Sequence, residues 1–129
     1  MKIVWVNGCF DVLHRGHLEL FKFAKSQGDF LVVGIDSDTR VKNSKGDSRP
    51  FNNEKDRKFF LECIKFVDKV VVFEDDDELR TLISIHKPDC MIIGSDWRGK
   101  RIVGGDLAKS IMFFNRFGDY STTKILETK

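Results

Sequence analysis

Four short runs of nearly unbroken apolar residues, at 3–6, 30–35, 69–73 and 90–93, constrain this chain more than any other feature. A strand with one wet face alternates polar and apolar residues; a strand covered on both faces does not. Each run is rich in Val and Ile, so each is expected to be a strand buried from both sides. The stretches between them carry the helical period instead. Residues 16–27 place His17, Leu20, Phe21 and Ala24 on one face, with Gly28 as the stop. Residues 53–66 place Arg57, Phe60, Ile64 and Val67 together, with Asn53 as the N-cap. Residues 77–86 do the same with Leu79, Leu82, Ile83 and His86, ending before Pro88. A fifth strand is expected at 111–115 and a last helix opening at Ser121.

Alternating strands and helices predict an α/β fold: one Rossmann-like domain over residues 1–129, a doubly wound parallel sheet of about five strands with helices on both faces. At 41% hydrophobic and 33% charged residues, the composition is that of a globular chain and not a disordered one. Twelve Phe against one Tyr and two Trp favour a dry interior. The formal charge of +2 is too weak for a general nucleic-acid binder. No apolar stretch approaches the roughly 18 residues of a membrane span, and the first residues lack a signal-peptide core, so a cytoplasmic protein is expected. Cys9, Cys63 and Cys90 are odd in number and widely spaced, which suggests neither a disulfide framework nor a zinc site.

Doubly wound sheets bind ligands beyond the carboxyl ends of their strands. The loop after the first run reads Gly8-Cys9-Phe10-Asp11-Val12-Leu13-His14-Arg15-Gly16-His17. Free N–H groups and the helix dipole favour an anion at such a helix start, and Gly16 permits close backbone approach. His17 heads the buried stripe of its helix and is expected to point inward over the strand ends. The plain structural alternative for the two imidazoles is a helix cap and a satisfied core histidine. Asp11 holds the loop or a metal, or simply forms the turn. Cys9, at a helix start with cations nearby, is expected to have a lowered pKa.

The GCFD-type turn over Gly8 to Asp11, followed by His14-Arg15-Gly16-His17, resembles the signature of the cytidylyltransferase-like nucleotidyltransferases. The family's ISTT-type motif is matched by Ser121-Thr122-Thr123-Lys124-Ile125, and the resemblance covers essentially the whole chain. Within the family, Lys45-Gly46-Asp47-Ser48-Arg49-Pro50 is similar to the adenylyltransferase domain of ADP-heptose synthases. Gly94-Ser95-Asp96-Trp97-Arg98-Gly99-Lys100 is similar to glycerol-3-phosphate cytidylyltransferase.

The resemblance implies transfer of a nucleotidyl group from ATP or CTP to a sugar or polyol phosphate. The acceptor attacks the α-phosphorus in line, and pyrophosphate leaves. Such chemistry works by positioning and charge neutralisation. His14, His17 and Lys45 are then the catalytic candidates. Lys45 is read as a clamp on a polar loop after the second strand, or as a solvated lysine. Gly8, Cys9, Phe10, Asp11, Gly16, Asp96, Trp97, Arg116, Ser121, Thr122 and Thr123 are candidates for the nucleotide, with Trp97 stacking on the base or lidding the core. Arg57 and Lys42 are candidates for the acceptor phosphate, with a structural ion pair as the alternative for Arg57. Mg²⁺ is expected as a cofactor carried by the nucleotide, with no metal held by the protein alone. The acceptor is a sugar 1-phosphate of heptose type, with glycerol 3-phosphate and CTP as the alternative. A nucleotide-binding module without turnover is the alternative of another class. No nucleic-acid or membrane partner is implied, and the Phe surplus permits a homodimer.

Overall fold

The computed structural model describes residues 1–115. Five strands form one parallel sheet: β1 (Ile3–Gly8), β2 (Phe30–Asp36), β3 (Lys69–Phe73), β4 (Cys90–Gly94) and β5 (Ser110–Phe114). Their spatial order is β3-β2-β1-β4-β5, so the chain winds outward from β1 and then crosses back to its other side. Four helices connect them: α1 (Arg15–Ser26), α2 (Asp38–Lys45), α3 (Glu54–Glu62) and α4 (Asp76–His86). Strand alternation divides the core in two. Val4, Val6, Leu31, Val33 and Ile35 pack with Phe21, Ala24 and Leu61 on one face, and Trp5, Val32 and Met91 pack with Leu79 and Ile83 on the other. Helices therefore cover both faces, and among the described residues no helix is long and apolar enough to cross a membrane.

The apolar runs fold as expected, and the fifth strand forms one residue earlier than its pattern indicates. The segment after β2 differs: the expected polar loop contains α2, whose single buried residue is Val41. One inward position gives no amphipathic stripe. What starts this helix is Ser37, whose hydroxyl accepts from the Arg40 amide at 3.1 Å. α3 is capped by Asn53 as expected, but it ends at Glu62, short of residue 66. It turns Leu61 inward and leaves Phe60 exposed, reversing the expected place of Phe60. Gly28 follows α1 for a different reason than a left-handed stop. A Cβ there would lie 2.7 Å from Val4 Cγ2 and 2.8 Å from the Lys2 carbonyl oxygen, so glycine lets the helix end pass against β1. The helix expected at Ser121 lies outside the described residues.

Candidate active site

The order β3-β2-β1-β4-β5 puts the switch in strand order at β1, where sheets of this kind carry their ligand crevice, between the segments that leave β2 and β4. The loop leaving β1 makes its floor. Phe10 takes φ 47, a conformation that a bulky residue adopts only when its surroundings hold it. Its ring is buried edge-on against Phe21 at 5.1 Å and against His17 at 5.3 Å. A Cβ on Gly8 would sit 3.0 Å from that ring, so the ring would have to shift to admit a side chain there.

α1 begins with a reciprocal histidine cap. His14 Nδ1 accepts from the Gly16 amide at 3.1 Å, and His17 Nδ1 accepts from the His14 amide at 3.3 Å. The two rings stack with centroids 3.8 Å apart. A ring that accepts at Nδ1 carries its neutral proton on Nε2, so the cap fixes the tautomer of both. Burial first, then the neighbouring His14 and Lys45, push the His17 pKa down to about 3. His17 is thus a neutral Nε2–H donor at physiological pH and no proton source. The structural alternative offered for the pair is seen in part: the histidines cap the helix, and capping orients both rings.

Lys45 and Lys42 stand in the last turn of α2, not on a loop. Lys45 is exposed, yet close enough for its charge to act on both His17 and Cys9. Lys45 thus lies within electrostatic reach of His17; Lys42 is exposed one turn earlier. Cys9 departs from expectation. Burial raises its pKa, outweighing the pull of Lys45 and Arg57, so the thiol stays protonated at neutral pH.

Asp11 is turned into the protein. It is buried, its Oδ2 accepts from Arg49 Nε at 2.9 Å and the Phe51 amide at 2.8 Å, and its Oδ1 accepts from the Asn52 amide at 2.9 Å. Asn52 Nδ2 returns a bond to the Asp11 carbonyl at 2.8 Å. These donors hold the Asp11 carboxyl below its ordinary range despite burial, which opposes them. These bonds match the reading of Asp11 as the residue that holds the loop: it anchors residues 49–52.

Arg57 matches the structural alternative offered for it, an ion pair within the protein. It is buried and donates to the carbonyls of Asn52 at 3.0 Å, Cys9 at 3.0 Å and Asp36 at 2.7 Å, and to Asp38 Oδ1 at 2.8 Å. One guanidinium thus joins the first loop, the end of β2, the start of α2 and the segment before α3. The sequence shows that Arg57 faces inward; it does not show that four backbone and side-chain acceptors converge there.

Across the crevice, a short 3-10 turn over Ser95–Trp97 ends β4. Trp97 is 54% exposed, so it does not lid the core, and Lys100 Nζ lies 5.8 Å from its ring. Asp96 is exposed beside it. Arg116, Ser121, Thr122 and Thr123 lie outside the described residues. Arg49, within a run already notable in the sequence, is the functional candidate that periodicity alone does not signal.

Residues 5–127 match the cytidylyltransferase-like family. Over 126 residues, 98% of this chain, identity is 46% to the bifunctional protein HldE of a Nitratiruptor species and 47% to that of Helicobacter pylori (strain Shi470). The chain spans 27% of the length of each of these relatives. Among solved structures, the lipopolysaccharide core biosynthesis protein from Thermoplasma volcanium GSS1 superposes with a TM-score of 0.69 at 28% identity, covering 94% of this chain and 99% of that one. Pantoate-beta-alanine ligase from Francisella tularensis shares the fold at 18% identity, with a TM-score of 0.64 over 98% of this chain and 68% of the ligase.

Proposed function

The chain belongs to the cytidylyltransferase-like family of nucleotidyltransferases, and from that premise we propose that it joins ATP to a sugar 1-phosphate of heptose type and releases pyrophosphate. The observation that carries the reading is the paired-histidine cap at the start of α1, over the crevice beside β1. It stacks the two imidazoles beside a helix N-terminus, and in this reading the phosphate oxygens take their donors from there.

An oxygen of the acceptor phosphate attacks the α-phosphorus, the bond to the β-phosphate oxygen breaks, and pyrophosphate departs. No covalent enzyme intermediate is formed. His17 stabilises by donating a hydrogen bond from Nε2, the nitrogen the cap leaves for a ligand. Lys45 brings a positive charge to the same phosphates from the end of α2. On the β4 side, Trp97 offers a face for the base and Asp96 an acceptor for ribose or base edge. Arg116, Ser121, Thr122 and Thr123 complete the nucleotide contacts in this reading.

Mg²⁺, entering on the triphosphate, would neutralise its charge; the groups gathered at α1 are donors that fit phosphate, and Asp11 is fully engaged with residues 49–52. The heptose-type acceptor draws on the Lys45–Pro50 run and on near-complete coverage by the HldE relatives. A cytoplasmic location and a homodimer using the exposed Phe59 and Phe60 of α3 belong to the same proposal. The test is pyrophosphate release with each of the four nucleoside triphosphates against heptose 1-phosphate, other sugar phosphates and glycerol 3-phosphate. Turnover confined to CTP with glycerol 3-phosphate would reassign the acceptor, and nucleotide binding without any turnover would reduce the chain to a binding module.

A further inference from the structure

The strand order leaves the acceptor one place to enter. The crevice above β1 is flanked on one side by Asp96 and Trp97 after β4, and on the other by α2 and residues 46–53 after β2. With the nucleoside on the β4 flank and the triphosphate at the start of α1, the phosphorylated acceptor takes the β2 flank. A cation must meet its phosphate there.

Three arginines stand on that flank, and two are engaged. Arg57 serves three carbonyls and the Asp38 carboxylate. Arg40 is held by Asp36 at 2.8 Å and Asp76 at 2.7 Å. Arg49 is different. Its Nε donates to Asp11 Oδ2 at 2.9 Å. The adjacent Nη2 would ordinarily complete a two-bond fork with the carboxylate. The amides of Phe51 and Asn52 already hold both carboxylate oxygens, at 2.8 and 2.9 Å. Nη2 is left buried and without a hydrogen-bond partner. A buried donor in that state is an exception among folded proteins and points to a group that arrives later.

We propose that Arg49 recognises the phosphate of the acceptor, with Nη2 donating to a phosphate oxygen as the acceptor enters between the first loop and residues 46–52. This inference rests on the nucleotidyl transfer to a sugar 1-phosphate and names the residue that selects its acceptor. Asp11 keeps the guanidinium oriented while Nη2 meets the ligand. Arg49 binds and orients; the bond changes at phosphorus are unaltered. A lysine keeps the charge beside Asp11 but does not present two fixed donors in different directions.

The experiment uses Arg49→Lys and Arg49→Gln. ATP and heptose 1-phosphate are varied separately, melting is followed by calorimetry, and inorganic phosphate is titrated onto each protein saturated with a non-hydrolysable ATP analogue. In Arg49→Lys the KM for heptose 1-phosphate should rise by about tenfold or more, the scale of one charge-assisted hydrogen bond. The KM for ATP should stay within about twofold, and phosphate binding should weaken in step with the acceptor KM. Wild-type values in Arg49→Lys overturn the proposal. So does a parallel rise of both KM values with a matched fall in Tm, which would reduce Arg49 to a support for Asp11. A wild-type protein inactive on every sugar 1-phosphate, yet binding phosphate through Arg49, would refute the reaction and uphold the residue's role. Phosphate binding indifferent to Arg49 overturns that role whatever the reaction.

Discussion

At the scale of single residues, the proposed reaction makes the histidine cap serve turnover as well as stability. His14→Ala and His17→Ala should each lower turnover by roughly 10²-fold or more, the scale of losing one transition-state donor; near-normal rates in both would remove the histidines from the mechanism. His17 also leaves a mark on stability. Its unfolded imidazole takes up a proton near the ordinary 6.5, whereas the folded one resists until about 3. Between those values the unfolded chain binds more protons, so the stabilising contribution is complete above about pH 6.5 and declines as the pH falls toward 3. Urea unfolding at pH 7 and pH 5 should show a loss on the order of 1–2 kcal/mol in the wild type that His17→Leu lacks. The carboxyl of Asp11, held low, adds its own loss only at pH values below its ordinary 3.8, outside that comparison. The cysteines give a third reading. Burial keeps Cys9 protonated, Cys63 is exposed and Cys90 is buried. Iodoacetamide at neutral pH should label Cys63 first, then Cys9, then Cys90, with nucleotide slowing only Cys9. Cys9→Ser should stay active, because direct displacement gives the thiol no role. Loss of turnover in that variant would point to a covalent intermediate.

At the scale of elements, α2 carries Lys45, and Arg57 holds α2 to the rest of the site. Removing the guanidinium leaves the Cys9, Asp36 and Asn52 carbonyls and the Asp38 carboxylate without it. Breaking one side of such a buried cluster costs about 3–5 kcal/mol, so Arg57→Ala should lower Tm by roughly 10–20 °C. An unchanged Tm would rule out the hub. Lys45→Ala should do the reverse, leaving Tm nearly unchanged while kcat falls strongly and the KM for ATP moves little. The strands, α1 and α4 are legible in the sequence because burial on both faces, or on one stripe, imposes a period. α2 is not, since Val41 alone turns inward and the signal reduces to Ser37 as a cap. Phe60 and Leu61 stand three and four positions after Arg57, and the helical period admits either inside; packing against the sheet selects Leu61. His14, His17 and Lys45 could be picked out by type and spacing. The duties of Asp11 and Arg57 could not, because their partners come from segments 38 to 48 residues away as well as from close by.

At the scale of the whole molecule, the metal should follow the nucleotide and not the protein. Exhaustive chelation should abolish turnover, readdition of Mg²⁺ should restore it, and metal analysis of the dialysed protein should find no stoichiometric ion. The sheet itself has an uneven seam. β1 pairs with β2 along its whole length, from Ile3 opposite Phe30 to Gly8 opposite Ile35, and β4 pairs with β5 from Cys90 to Gly94. Between these halves, β1 and β4 pair at Val4 with Cys90 and Trp5 with Met91, with Asp89 closing the lower end through the Ile3 amide at 2.8 Å. That seam should make the β4–β5 half a separate unit for amide hydrogen exchange, opening at lower free energy than β1 to β3. In the proposed reaction the nucleotide lies across the crevice and would tie the two units together, so an ATP analogue should slow exchange in β4 and β5 far more than in β2 and β3. Equal protection in both halves, unmoved by nucleotide, would contradict this. The split that makes room for a ligand thus also makes the ligand a structural cross-link, and slowed exchange across the sheet becomes a measure of binding that needs no turnover at all.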